Sequence, residues 1–125
     1  IILKKEYRHS IGETLIELPA GTFEAGEVDA LAVAKRELLE ETGYKSDEWT
    51  FLGTTIENPA KCSNRLHIFV AKNVVKVAAQ KLDDTEDIIF TLVPLNQAVE
   101  MCMNNEIVVN SSVNGIMRIA RILQI

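Results

Sequence analysis

The sequence predicts an α/β domain in which a mixed β-sheet lies between helices. Three observations point there. The chain has 125 residues, 47% hydrophobic and 25% charged, which suits one globular domain, residues 1–125, with an ordinary core. Apolar β-rich segments fall first and in the middle, whereas helical spacing appears once early and twice late. Glycine and proline separate these segments.

The elements follow in order. Ile1 to Lys4 is apolar and reads as a strand end, and "HSIGET" (9–14) reads as a turn. Leu15 to Leu18 is a short strand, halted by Pro19 and Gly21. A loop with Gly21 and Gly26 leads to Asp29, a natural N-cap for a helix over Ala30 to Thr42. Its apolar stripe is Leu31, Ala34, Leu38 and Thr42 (or Leu31, Val33 and Leu38), and Gly43 stops it in a left-handed conformation. Segments 49–56, 65–73 and 88–93 are β-rich, with loops around Pro59 and Asp83 to Asp87. Trp49 and Phe51 read as strand-core residues. Pro94 opens a helix over about 95–103. A last helix covers about 111–123, capped by Ser111 or Ser112, with Val113, Ile116, Ile119, Ala120 and Leu123 inward.

A net charge of −5 and a pI near 5.0 disfavour nucleic acid or an anionic membrane as main partner. The longest apolar runs, such as Ile68 to Ala71, are too short to span a bilayer. No signal peptide is visible, and Cys62 and Cys102 suit free thiols in a reducing cytoplasm. The chain begins at Ile1 without Met, which leaves room for a preceding piece.

"RELLEETGY" (36–44) sets Glu37, Glu40 and Glu41 on one side of the early helix, where like charges repel by about 0.2–0.5 kcal/mol per pair. Arg36 is four residues before Glu40 and can pair with it. The bland interpretation is a solvated charged face. Because Glu41 is expected to be exposed in a self-repelling cluster, removing its charge should leave stability without metal level or raise it slightly. The preceding "GTFEAGE" (21–27) favours another interpretation. Two glycines let backbone carbonyls turn inward, and carbonyl and carboxylate oxygens are hard ligands suited to Mg²⁺.

Residues 21–44 resemble the Nudix box, whose pattern is G, five residues, E, seven residues, then R-E-apolar-x-E-E-x-G-apolar. Gly21, Glu27, Arg36, Glu37, Leu38, Glu40, Glu41, Gly43 and Tyr44 fit it. Eight residues, Val28 to Lys35, stand where the pattern has seven. "YRHSIGETLIELPAG" (7–21), "SNRLHIFVAKN" (63–73) and "LDDTEDI" (82–88) are similar to the ADP-ribose pyrophosphatase branch.

The resemblance implies a Nudix-type α/β/α sandwich and Mg²⁺-dependent (or Mn²⁺-dependent) hydrolysis of ADP-ribose or another nucleoside diphosphate sugar. It implies metal ligation by Glu37 and Glu41, with Glu40 helping and the Ala20 carbonyl as backbone ligand. Arg36 is expected to orient these acids. Glu86, with Asp84 second, is the implied general base. Arg8 is the implied phosphate contact, since a guanidinium fork matches phosphate oxygens. His9 and His67 stand alone and read as structural. Members of the branch usually carry an N-terminal β segment that helps form a dimer and the nucleoside pocket; that segment is expected to be missing from this sequence, which leaves the homodimer as an implied assembly only. A GDP-mannose hydrolase and a non-catalytic Nudix-fold sensor are the alternatives.

Overall fold

The computed structural model describes residues 1–125. Strand β1 (Ile2–Arg8) is central in a three-stranded sheet, with β2 (Glu13–Glu17) on one side and β7 (Ile88–Leu92) on the other. Both pairings are antiparallel. The β1–β2 turn closes through amides of Ile11 and Gly12 donating to the Arg8 carbonyl, at 3.2 and 2.9 Å. Gly12 there takes φ +69°, a region that costs glycine little.

A second sheet pairs β4 (Glu48–Ile56) with β5 (Arg65–Lys72), with a bulge between Phe51 and Gly53. Two-residue strands β3 (Tyr44–Lys45) and β6 (Val75–Lys76) form a third. Sequence periodicity does not announce β3 and β6, because nothing in so short a stretch repeats.

Helix α1 (Ala30–Thr42) has the expected bounds: the Asp29 carboxylate accepts from the Leu31 amide at 3.0 Å, and Gly43 ends it at φ +75°. Helix α2 (Leu95–Met103) follows Pro94 as expected. Helix α3 (Asn110–Ile122) starts one residue early, and neither Ser111 nor Ser112 caps it. The Ser112 hydroxyl instead accepts from the Leu18 amide at 2.9 Å. Gly115 faces the same residue: a Cβ there would lie 2.8 Å from Leu18 Cδ1.

The layered α/β/α expectation is met, with the core between β1 and the late helices. Leu3, Ala98, Ile107 and Ile116 form its centre. Burying each large aliphatic among them is worth about 1.5–3 kcal/mol. Two core assignments fail. Leu123 lies just past α3 and is exposed, and Phe51 is 56% exposed, tilted against Phe69 across the β4–β5 pair. No helix is long and apolar enough to cross a membrane. Both cysteines are free and half-buried.

Candidate functional site

The loop between β2 and α1, the inner end of β1 and one face of α1 enclose a cavity of about 230 Å³. Seven carboxylates and three cations are among its lining residues, so negative charge is in excess. A more open concavity of about 470 Å³ beside the β4–β5 loop has Lys61 and Arg65 but no carboxylate. The polar chemistry therefore belongs to the smaller cavity.

Arg36 organises its outer half. Its guanidinium donates to both Glu27 oxygens (2.8 and 3.1 Å), to Glu37 (2.7 Å), to Glu40 (2.9 Å) and to the Thr22 carbonyl (3.1 Å). The expected Arg36–Glu40 pair is thus one strand of a larger clamp that ties loop to helix. The additional residue before Arg36 does not disturb it. Val28 is 92% exposed, the helix begins at Ala30, and Glu27 still reaches Arg36. The hydrogen bond from Arg36 holds the Glu27 carboxyl below its ordinary pKa.

Gly21 lies against Glu37. A Cβ at Gly21 would fall 1.9 Å from Glu37 Cδ, so only glycine admits the carboxylate here. Burial pushes the Glu37 carboxyl up despite Arg36.

The inner half overturns one expectation. Glu41 is not exposed on a self-repelling face; it is 2% exposed. Leu38 and Thr42, its neighbours on the inward side of α1, are buried with it. One Glu41 oxygen accepts from Lys4 and the other from the Ala20 amide at 3.1 Å. Lys4 projects from β1 into the cavity and is 1% exposed. Its ammonium also meets Glu6 Oε2 at 2.8 Å and the Ala20 carbonyl at 3.5 Å. The Glu6 contact is an ion pair without hydrogen-bond alignment, so buried Oε2 has no directed donor.

Burial pushes the Glu41 carboxyl up to about 7, against the opposing pull of Lys4 and the Ala20 amide. Burial also penalises the Lys4 ammonium, but Glu41 and Glu6 outweigh it and its pKa rises. Lys4 therefore stays an ammonium, and Glu41 is the member of the pair that gains a proton as pH falls below about 7.

Arg8 lines the cavity, and its guanidinium is already engaged: Nε and Nη2 donate to the two Glu17 oxygens (2.7 and 2.6 Å), and Nη1 to Glu6 at 3.2 Å. Each terminal nitrogen keeps a second N–H. Glu86 lines the cavity and accepts the Asp83 amide at 2.9 Å; Asp84 is exposed and does not line it. Neither histidine lines it: His9 stacks edge-on with Tyr7, and His67 pairs with Thr54.

Lys4 and Glu6, which line the cavity, and Glu17, which holds Arg8 beside it, were missed by the sequence interpretation. The one available signal was a lysine directly after Ile1-Ile2-Leu3, in a strand otherwise fit for a core.

No three His, Cys, Asp or Glu side chains converge closely enough to hold an ion, because Lys4 and Arg36 sit among the acids. The donor set still fits a hard divalent cation. It is all oxygen, from the Ala20 carbonyl, Glu37, Glu40 and Glu41, with Glu6 Oε2, which meets only the Lys4 ammonium, beside it.

Residues 1–109 match the NUDIX domain. The chain is 33% identical over 101 residues to the methanol dehydrogenase activator of Bacillus methanolicus, covering 80% of this chain and 54% of that protein. It is 32% identical over 108 residues to the ADP-ribose pyrophosphatase of Bacillus subtilis, covering 86% and 58%. The solved structure of an ADP compounds hydrolase matches at a TM-score of 0.85 and 23% identity, over 98% of this chain and 65% of that one, which shows the fold alone. This chain spans about half the length of the curated relatives it matches.

Proposed function

The chain belongs to the NUDIX domain family, in its ADP-ribose pyrophosphatase-like branch, and from that premise we propose that it cleaves the diphosphate of ADP-ribose or a related nucleoside diphosphate sugar. The products are a nucleoside monophosphate and a sugar phosphate. The observation that carries this reading is one cavity that gathers the glycine loop, three carboxylates of α1 and Glu86.

The Ala20 carbonyl, Glu37, Glu40 and Glu41 would hold Mg²⁺ or Mn²⁺, which would supply charge neutralisation for the diphosphate and polarisation of the attacking water. The chain's own residues do the rest. Arg36 fixes the loop on the helix and stays off the substrate. The spare N–H groups of Arg8 meet phosphate oxygens. Glu86 accepts the proton of the water as its oxygen bonds to phosphorus and the bridging P–O bond breaks. GDP-mannose is the alternative sugar nucleotide, because these residues address the diphosphate and not the base.

A second reading, a nucleotide-sugar sensor without turnover, draws on the resident cations: Lys4 and Arg36 already pair with the acids of α1. Incubation with a panel of nucleoside diphosphate sugars and Mg²⁺, with products resolved by chromatography, separates the two. AMP and ribose 5-phosphate from ADP-ribose are expected. Folded protein that binds a panel member and hydrolyses none would establish the sensor.

A further inference from the structure

Lys4 has no assigned role, yet it is among the most buried large side chains of the molecule. Its strand offers an aliphatic setting, with Ile2 and Leu3 also buried, where an apolar residue would serve packing better. The ammonium instead faces three oxygens: Glu41 Oε1, Glu6 Oε2 at 2.8 Å and the Ala20 carbonyl at 3.5 Å. All three are hard donors of the kind a small divalent cation takes. Glu41 grips the same residue from the other side, its second oxygen accepting the Ala20 amide. Ala20 is thus held by its N–H and its carbonyl between a strand residue and a helix residue.

We propose that Lys4 is a built-in cation of this site. Its ammonium fills the position between the Ala20 carbonyl, Glu41 and Glu6 that a divalent ion would otherwise take. The chain therefore binds one divalent ion fewer than its oxygens could hold, and Ala20 keeps its place in the absence of metal. Glu37, Glu40 and the remaining lone pairs of Glu41 and the Ala20 carbonyl stay available for ions that arrive with substrate, and Glu86 for the water. The inference rests on the metal-binding part of the proposed function and adds the resident charge to it.

Mn²⁺ binding to the substrate-free chain, counted by equilibrium dialysis and followed by electron paramagnetic resonance, tests it alongside thermal melts with and without Mn²⁺. Lys4→Met should bind one more Mn²⁺ per chain than the wild type. Its metal-free melt should be lower, and Mn²⁺ should raise that melt by more degrees than in the wild type. Lys4→Arg should keep the wild-type count. An unchanged or reduced count in Lys4→Met overturns the proposal. If Lys4→Met does not fold without metal, Lys4→Met/Glu6→Gln, which leaves only Glu41 uncompensated, is read by the same count. Hydrolysis of ADP-ribose by the wild type is scored separately. Turnover with an unchanged Lys4→Met count sinks this inference alone, and a gained ion without wild-type turnover sinks only the proposed reaction.

Discussion

Glu41→Gln is the sharpest probe of the buried pair. Burial holds the folded-state carboxyl at about 7, against an ordinary 4.5. The sign follows from proton counts. Below pH 4.5 both states are protonated and the group costs nothing. Between 4.5 and 7 the unfolded chain has lost the proton that the folded chain retains, so this group's stabilisation falls as pH rises, and it levels off above 7. A difference of that size, at about 1.4 kcal/mol per pKa unit, amounts to about 3 kcal/mol. In a chain of this length the shift in melting temperature is on the order of 10 °C. Glutamine mimics the protonated carboxyl, keeps an oxygen for Lys4 and does not titrate. Melts of both proteins in EDTA from pH 4.5 to 8 should therefore show the variant gaining on the wild type by about 3 kcal/mol over that range. A constant difference would refute the reasoning. So would a wild type that gains on the variant as pH rises, because the Lys4 attraction would then exceed the desolvation of Glu41.

Other expectations concern the reaction. EDTA should abolish ADP-ribose hydrolysis and Mg²⁺ or Mn²⁺ restore it; full turnover in chelator would refute the ligand set. Glu86→Gln should lower kcat by about 10²- to 10⁴-fold with little change in KM, while Asp84→Asn, altering an exposed residue off the cavity, should be mild. The reverse order in a kinetic comparison would move the base to Asp84. Gly21→Ala should cut turnover by about tenfold or more, because its Cβ displaces Glu37. Wild-type kinetics in that variant would show that the Glu37 position is unimportant.

The sequence disclosed most of the framework because its punctuation is local. Asp29, Gly43 and Pro94 set helix bounds through their own backbone and capping chemistry. The start of α3 escaped because the Ser112 hydroxyl serves a partner 94 residues away, which no local rule contains. Spacing placed Glu37, Glu40 and Glu41 together and marked Leu38 and Thr42 as inward, but did not show that burial of that stripe reaches Glu41 beside it. Glu41 sits at the margin, and burial of Leu38 and Thr42 carries it inward. Arg36 was legible as an i,i+4 partner of Glu40, whereas its bonds to Glu27 and Thr22 depend on the loop's path. Lys4 was invisible as a site residue because its partners come from a distant loop and helix.

The hydrogen bond between Ser112 and the Leu18 amide has a bearing on folding order. Leu18 stands just before Pro19, Ala20 and Gly21, so the late helix braces the strand end from which the glycine loop springs. Contacts of such sequence separation slow folding, because the chain must close a long loop before the contact forms. On the ribosome, a nascent chain that has not yet extruded Ser112 lacks this brace, even with Glu37, Glu40 and Glu41 already helical. The acidic helix and its clamps on the loop are made early in synthesis, and the strand end behind that loop is braced only once Ser112 has followed.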